Sequence, residues 1–235
     1  MTDSPRYAIY YAPTPGSALD RFGAHLLGYD ALSGEELRFP DDIEQTVPDW
    51  RELTRDPRKY GFHATLKAPM PLADGRSEAE LLAACESFAE TPRPIPLIKP
   101  VVNAIGDFIA VVPAERSLGL EQLAADSVRA FDSFRAPLTP EDRARRNPSK
   151  LTSRQRDYLD RWGYPYAMEE FRFHMTLTGR LPAERRETIT GILRERFAAL
   201  QITSLAIDSI VLFRQNDAAA RFRIIGRWPL YPQPS

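Results

Sequence analysis

Phe62-His63-Ala64-Thr65-Leu66 and Phe173-His174-Met175-Thr176-Leu177 are two copies of one local pattern: an imidazole and a hydroxyl two residues apart, preceded by phenylalanine and followed by leucine. With three histidines and 13 threonines in 235 residues, chance seldom gives two of the three a threonine at the second position downstream. Successive side chains of a strand point to opposite faces. His63 and Thr65 therefore share one face, and Phe62, Ala64 and Leu66 the other; His174 and Thr176 pair in the same way. Each strand lays its apolar face on a helix and turns an imidazole and a hydroxyl outward, so two such strands facing each other form a cleft. Continued along the strands, the alternation brings Lys67 onto the first polar face and Arg172 onto the second.

Outward from these strands the chain reads as the same order of elements twice. Arg6–Ala12, aromatic and β-branched and ending at Pro13, predicts the first strand. Ser17 caps a helix carrying Leu19, Phe22, Leu26 and Leu27 until Gly28 stops it. Residues 30–60 read as irregular apart from a short helix near 49–56. The His63 strand, 62–68, closes at Pro69, and Ser77 with Glu80 forms a capping box that opens a helix to Glu90. In the second half, strands near 94–102 and 107–113 precede a helix near 118–133. A polar insert follows from Thr139 to Arg161, helical in two pieces broken around Pro148. Then come a strand over 171–180, a helix over 182–200, and strands over 203–214 and 221–228 joined as a hairpin. Neighbouring strands with helices on one side predict an α+β fold with antiparallel sheets. The expected organisation is one bilobal domain over 1–235, with lobes at about 1–92 and 93–235 and room for strand exchange between them. The two lobes are related by a pseudo-two-fold, with helices outside and a central cleft carrying the two His-bearing strands.

Composition bounds the function. With 43% hydrophobic residues, 12 Phe, 9 Tyr and 3 Trp the chain has the means for a packed core. Its formal net charge of −1, from 31 Lys plus Arg against 32 Asp plus Glu, supplies no overall field for a nucleic-acid backbone, so any anion site is local. Cys85 is the only cysteine, which excludes an internal disulfide and a thiolate zinc cluster. There is no basic-then-apolar leader and no run of roughly 20 apolar residues. These features predict a cytoplasmic protein that needs no membrane.

Two imidazoles and two hydroxyls in one cleft suit phosphodiester opening. One ring takes a proton from the attacking oxygen, the other gives one to the leaving oxygen, and hydrogen-bond donors hold the phosphoryl oxygens. An imidazole pKa near 6.5 lets one ring be neutral and the other charged. The expected catalytic set is His63, Thr65, His174 and Thr176. No HxH, HExxH or His–carboxylate ladder points to a metal, and no cofactor is expected.

The pair of His-x-Thr motifs resembles the 2H phosphoesterase superfamily, defined by two such motifs on a two-lobed α+β fold. Tyr60–Pro69 and Trp162–Gly179 resemble its branch associated with bacterial phosphonate-utilisation operons, a likeness running from Arg6–Ala12 to the C-terminal hairpin. The resemblance implies a phosphoric diester hydrolase acting, without metal, on a small sugar cyclic phosphate arising from phosphonate breakdown.

Alternatives remain at this level. The cleft also suits an RNA end bearing a 2′,3′-cyclic phosphate or a 2′–5′ linkage, or a non-catalytic phosphate-ligand binder, although four intact motif residues argue against the latter. A small phosphorylated substrate is the expected partner, nucleic acid the second choice, and no oligomer is required. Substrate contacts are expected from Lys67, Arg172, Tyr11 and Tyr166, with Tyr10 and Tyr164 as further cleft aromatics; each is equally readable as a solvated cation or a core ring. His25, among Phe22, Leu26 and Leu27, is given no role. The insert between Glu141 and Arg161 sets seven cations against four acids, a net of +3. It is either a solvated face or a lid that recognises a second phosphate.

Overall fold

The computed structural model describes residues 4–233. Elements begin and end where local chemistry dictates. β1 (Arg6–Tyr11) leads to α1 (Ala18–Leu27), opened by Ser17, whose side chain accepts from the Asp20 amide, and closed by Gly28 at φ +67°. A Cβ on Gly28 would stand 2.6 Å from the Phe39 ring, so both conformation and space demand glycine. The stretch expected to be largely irregular holds three short helices, α2 (Asp41–Thr46), α3 (Trp50–Leu53) and α4 (Arg55–Arg58). Tertiary bonds hold them. The buried Trp50 indole donates to Leu26 O at 2.8 Å, and Arg58 Nε donates to Leu27 O at 2.7 Å, satisfying the last carbonyls of α1.

β2 (Ala64–Pro71) carries the first motif, and α5 (Glu78–Glu90) starts with the complete Ser77–Glu80 capping box. β3 (Leu97–Ile98), β4 (Pro100–Ile105), β5 (Phe108–Pro113) and α6 (Leu118–Phe131) follow. The insert contributes α7 (Pro140–Arg145) and α8 (Ser153–Trp162), separated by a 3₁₀ turn at Pro148–Lys150, the break expected there. β6 (Met175–Thr176), α9 (Ala183–Ala198), β7 (Leu205–Ala206), β8 (Ser209–Gln215) and β9 (Arg223–Pro229) complete the chain.

Seven strands form one antiparallel sheet in the order β4-β5-β6-β2-β1-β8-β9, and β3 with β7 forms a separate ribbon. The fold is thus α+β, with antiparallel strands, as expected. The C-terminal hairpin β8–β9 pairs with β1 rather than with the strands of the second half. Helices α1, α5, α6 and α9 pack on a core that takes Tyr7, Ile9 and Tyr11 from β1 together with Phe62, Ala64, Leu66 and Met175; Ala8, Tyr10 and Ala12 join Val211, Phe213 and Phe222 in a separate cluster.

Four strands differ from the sequence expectation, the first being the one expected near 94–102, which divides into β3 and β4 in different sheets. β2 runs through Pro69 to Pro71, because its pairing with β1 slips twice, between Tyr7 and Ile9 and between Ile9 and Tyr10. Pro69, which has no amide proton, falls in the first slip, where the ladder asks for no donor. The strand expected over 171–180 shrinks to two residues, since Leu177 and Thr178 both turn their amides to Ile109 O while Gly179 donates to Leu53 O. The strand expected over 203–214 is split into β7 and β8, with Ile207 N diverted to Pro96 O.

Candidate active site

β2 and β6 meet at one pair, Ala64 opposite Met175. Continuing that antiparallel register one residue each way sets His63 opposite Thr176 and Thr65 opposite His174. Both histidines and both threonines therefore lie on the same side of the seam, each imidazole facing the other motif's hydroxyl. The two histidines are diagonal neighbours, with Cβ atoms about 7 Å apart for such a pair, a span that one phosphoryl group bridges.

Both rings are held in the same way. His63 Nδ1 lies 2.9 Å from Gly61 O and His174 Nδ1 lies 2.7 Å from Arg172 O. A carbonyl accepts only, so Nδ1 carries the proton in each ring and Nε2 is left for chemistry. Thr65 Oγ1 stands 3.5 Å from His63 Nε2. The Tyr10 ring stacks on His63 with centroids 3.8 Å apart and planes at 23°. Phe108 tilts against His174 at 5.6 Å. Burial pushes the His63 pKa down to about 4 against the favourable Gly61 carbonyl contact, and a charge on nearby His174 pushes it the same way. Burial lowers that of His174 too, opposed by its contact with Arg172 O. In the ligand-free protein both rings are thus biased neutral, and His63 is well suited to accept a proton.

The groups open into a cleft of two joined pockets, about 560 and about 430 Å³, that share Thr65, Phe108, Tyr164 and Arg180. Those volumes suit a small organic phosphate. His174, Arg172 and Tyr166 line the first pocket; His63, Thr176, Tyr10, Tyr60, Arg6 and Arg146 line the second. Among the described residues, no group of three or more His, Cys, Asp or Glu side chains is placed to hold a metal ion.

Of the expected substrate contacts, Tyr11 lies off the cleft, and Lys67 borders the first pocket but has its amine engaged by other groups. Lys67 is only 2% exposed; its amine donates to Asp132 Oδ1 at 2.6 Å and Val128 O at 3.3 Å. The cause is the slip in pairing between Ile9 and Tyr10: Tyr10 pairs with Thr65 but Ile9 with Lys67. That extra residue reverses the alternation, and Lys67 turns to α6. Tyr11 is buried in the helix-side core with Phe173 at 6.1 Å. Its neighbour Tyr10 takes the cleft side, because Tyr10 pairs with Thr65 and pairs across a strand share a face. Arg172 sits exposed on the rim, and Tyr166, 48% exposed, meets Tyr164 edge-on at 5.6 Å. His25 lies on the exposed side of α1 with Nδ1 3.1 Å from Arg38 O.

Sequence reasoning left out Arg6, Tyr60, Phe108 and Arg180. None of them belongs to a repeated pattern, and they reach the cleft only through strand order and loop placement. Arg146 was legible only as one of seven cations.

The model of the family described as "Protein of unknown function (DUF1045)" matches residues 65–223. The chain is 37% identical over 227 residues to a Janthinobacterium sp. (strain Marseille) protein named "Ribose 1,5-bisphosphate phosphokinase PhnN", covering 92% of this chain and 49% of that one. A Laribacter hongkongensis (strain HLHK9) protein of the same name is 29% identical over 219 residues, with 93% and 50% covered. The chain thus spans about half the length of these curated relatives. Among solved structures, E. coli LigT complexed with NADP+ aligns over 98% of this chain and 99% of its own, at 14% identity and a TM-score of 0.40.

Proposed function

Starting from a chain that belongs to the DUF1045 family and holds two His-x-Thr motifs across one strand pair, we propose that it is a phosphoesterase that opens a small cyclic phosphodiester by two-histidine acid–base catalysis. The observation that supports this reading is the Ala64–Met175 register, which brings His63, Thr65, His174 and Thr176 onto one side of the seam between β2 and β6. In the proposed reaction neutral His63 takes a proton from the attacking water, His174 delivers one to the leaving oxygen, and Thr65 and Thr176 donate to the non-bridging oxygens. The depressed His63 pKa supports its role as base. His174 must be protonated in the complex, and the charge of the bound phosphodiester favours that form. No step calls on a metal.

A phosphorylated sugar, as part of phosphonate breakdown, is the proposed substrate class. The motif resemblance to the phosphonate-linked 2H branch supports it, as does the name of the two longer relatives, which refers to a ribose bisphosphate. The test is a set of cyclic phosphates, including pentose cyclic phosphates and nucleoside 2′,3′-cyclic phosphates, offered with excess chelator to the wild type, His63→Ala and His174→Ala. Turnover of a sugar cyclic phosphate that falls about 10²–10⁴-fold in each variant supports the proposal. Activity that vanishes with chelator and returns with a divalent ion contradicts the mechanism.

A further inference from the structure

Resting on the cyclic phosphodiesterase reading, we propose that the half of the cleft beside His63 is a second anion subsite: it takes a phosphomonoester carried by the same small substrate whose cyclic diester lies between the histidines. Its walls come from three separate segments, Arg6 and Tyr10 on β1, Tyr60 just ahead of β2, and Arg146 and Tyr164 from the insert and the turn after it. Tyr10 stacks on His63 with centroids 3.8 Å apart, so the pocket these residues line adjoins the site between the histidines. The Tyr10 ring, 1% exposed as a residue, forms the floor between this pocket and His63.

The cations tell the same story. Arg6 Nε donates to the neutral Gln215 side chain at 2.8 Å, and Arg146 lies 5.5 Å from the centre of the Tyr164 ring. Neither has a carboxylate partner among the described residues. By contrast Arg143 is paired with Asp160, and Arg145 with Asp142. Two acids, Asp56 and Asp107, also border this pocket; Asp107 lies 3.5 Å from Arg180 Nε. A neutral sugar hydroxyl does not call for two guanidinium groups without ion-pair partners, whereas a phosphate dianion is the ligand their planar donors fit. A stacked base is also disfavoured, because the Tyr60 ring is stacked on Phe222 at 5.1 Å and the Tyr164 ring is covered by Arg146. What this wall offers is hydroxyls and guanidinium groups. The insert after α6 is then part of the substrate site through Arg146, while its paired arginines form a solvated face.

The test has two arms. Ribose 5-phosphate, binding as a bare phosphomonoester probe, is titrated by calorimetry into the wild type, Arg146→Ala and Arg146→Lys. In parallel, kcat/KM is measured for a ribose cyclic phosphate with and without a 5-phosphate. The subsite predicts that Arg146→Ala weakens ribose 5-phosphate about tenfold or more, that lysine restores part of the loss, and that the ratio of the two kcat/KM values falls by a similar factor. Arg146 is exposed, so the variants are expected to fold. Equal ribose 5-phosphate binding in wild type and Arg146→Ala, or an unchanged ratio, overturns the subsite. If both cyclic phosphates are hydrolysed equally well, the phosphodiesterase reading stands and the subsite falls. If neither is hydrolysed but ribose 5-phosphate binding depends on Arg146, the subsite stands and the hydrolytic reading fails.

Discussion

Protonating His63 should cost the folded protein stability, and the size follows from its surroundings. Its ring is held between Tyr10, 3.8 Å away, and the Tyr60 and Phe213 rings at about 6 Å, and its pKa is depressed to about 4, against about 6.5 in an unfolded chain. Because the folded value is the lower one, the unfolded state binds more protons across this window, and stability rises with pH. The contribution is complete above pH 6.5 and is lost as pH falls toward 4. Linkage gives a loss on the order of 2 kcal/mol between pH 7 and pH 5 from this one residue, approaching 3 kcal/mol at pH 4. The assay is urea unfolding of wild type and His63→Gln at pH 7, 6, 5 and 4.5, taking the difference between the two proteins at each pH so that groups common to both cancel. Wild type should lose stability relative to the variant as pH falls. A difference that stays flat from pH 7 to pH 5 would refute the buried, cation-averse environment from which the base role of His63 is argued.

Gly23→Ala should destabilise by about 1–3 kcal/mol in thermal or urea unfolding, since a Cβ there would stand 2.0 Å from the Phe62 ring; it should also lower turnover by displacing the residue before His63. Asp132→Ala should cost about 3–5 kcal/mol by stranding the buried Lys67 amine. Lys67→Met should leave KM within about twofold while Arg172→Ala raises it, in steady-state assays, because the Lys67 amine is already held by Asp132 whereas Arg172 stands exposed on the cleft rim. Thr65→Ala or Thr176→Ala should slow turnover by no more than about tenfold, the worth of one neutral hydrogen bond, and a loss as large as that of a histidine variant would mean that the roles are misassigned.

The seam that carries the two motifs was legible because its information is local and repeated. His63, Thr65, His174 and Thr176 declare themselves by spacing, and a strand's alternation is enough to place them on one face. Helix starts were legible for the same reason, as the Ser17 cap and the Ser77–Glu80 box show. What failed was alternation carried past a pairing slip. Lys67 lies two residues beyond Thr65, yet the extra residue between Tyr10 and Ile9 in the register turns it to the opposite face. Such slips are set by the partner strand and leave no mark in the residues that slip. Tyr10 and Tyr11 were indistinguishable for a related reason: both are tyrosines in a short apolar strand, and only pairing with Thr65 decides which one meets His63. The division of the C-terminal segment into β7 and β8 likewise depends on β3, a distant partner. Arg146 stood hidden among seven cations because the pairings of Arg143 with Asp160 and Arg145 with Asp142 are tertiary facts.

The most direct test of the acid–base pair is the pH dependence of turnover in wild type, His63→Ala and His174→Ala on a sugar cyclic phosphate whose chemical step is rate-limiting. Both rings are lowered in the free protein, His63 to about 4 and His174 in the same direction, so kcat/KM should be bell-shaped with its optimum below pH 6.5. The kcat profile should be displaced upward, because the bound phosphoryl charge favours both protonated rings. His63→Ala should erase the acidic limb and His174→Ala the alkaline one, each leaving little activity, as befits groups that act as a unit. A flat profile from pH 5 to pH 9, or a His63→Ala/His174→Ala double variant that keeps most of its activity, would contradict the claim that these two histidines are the catalysts.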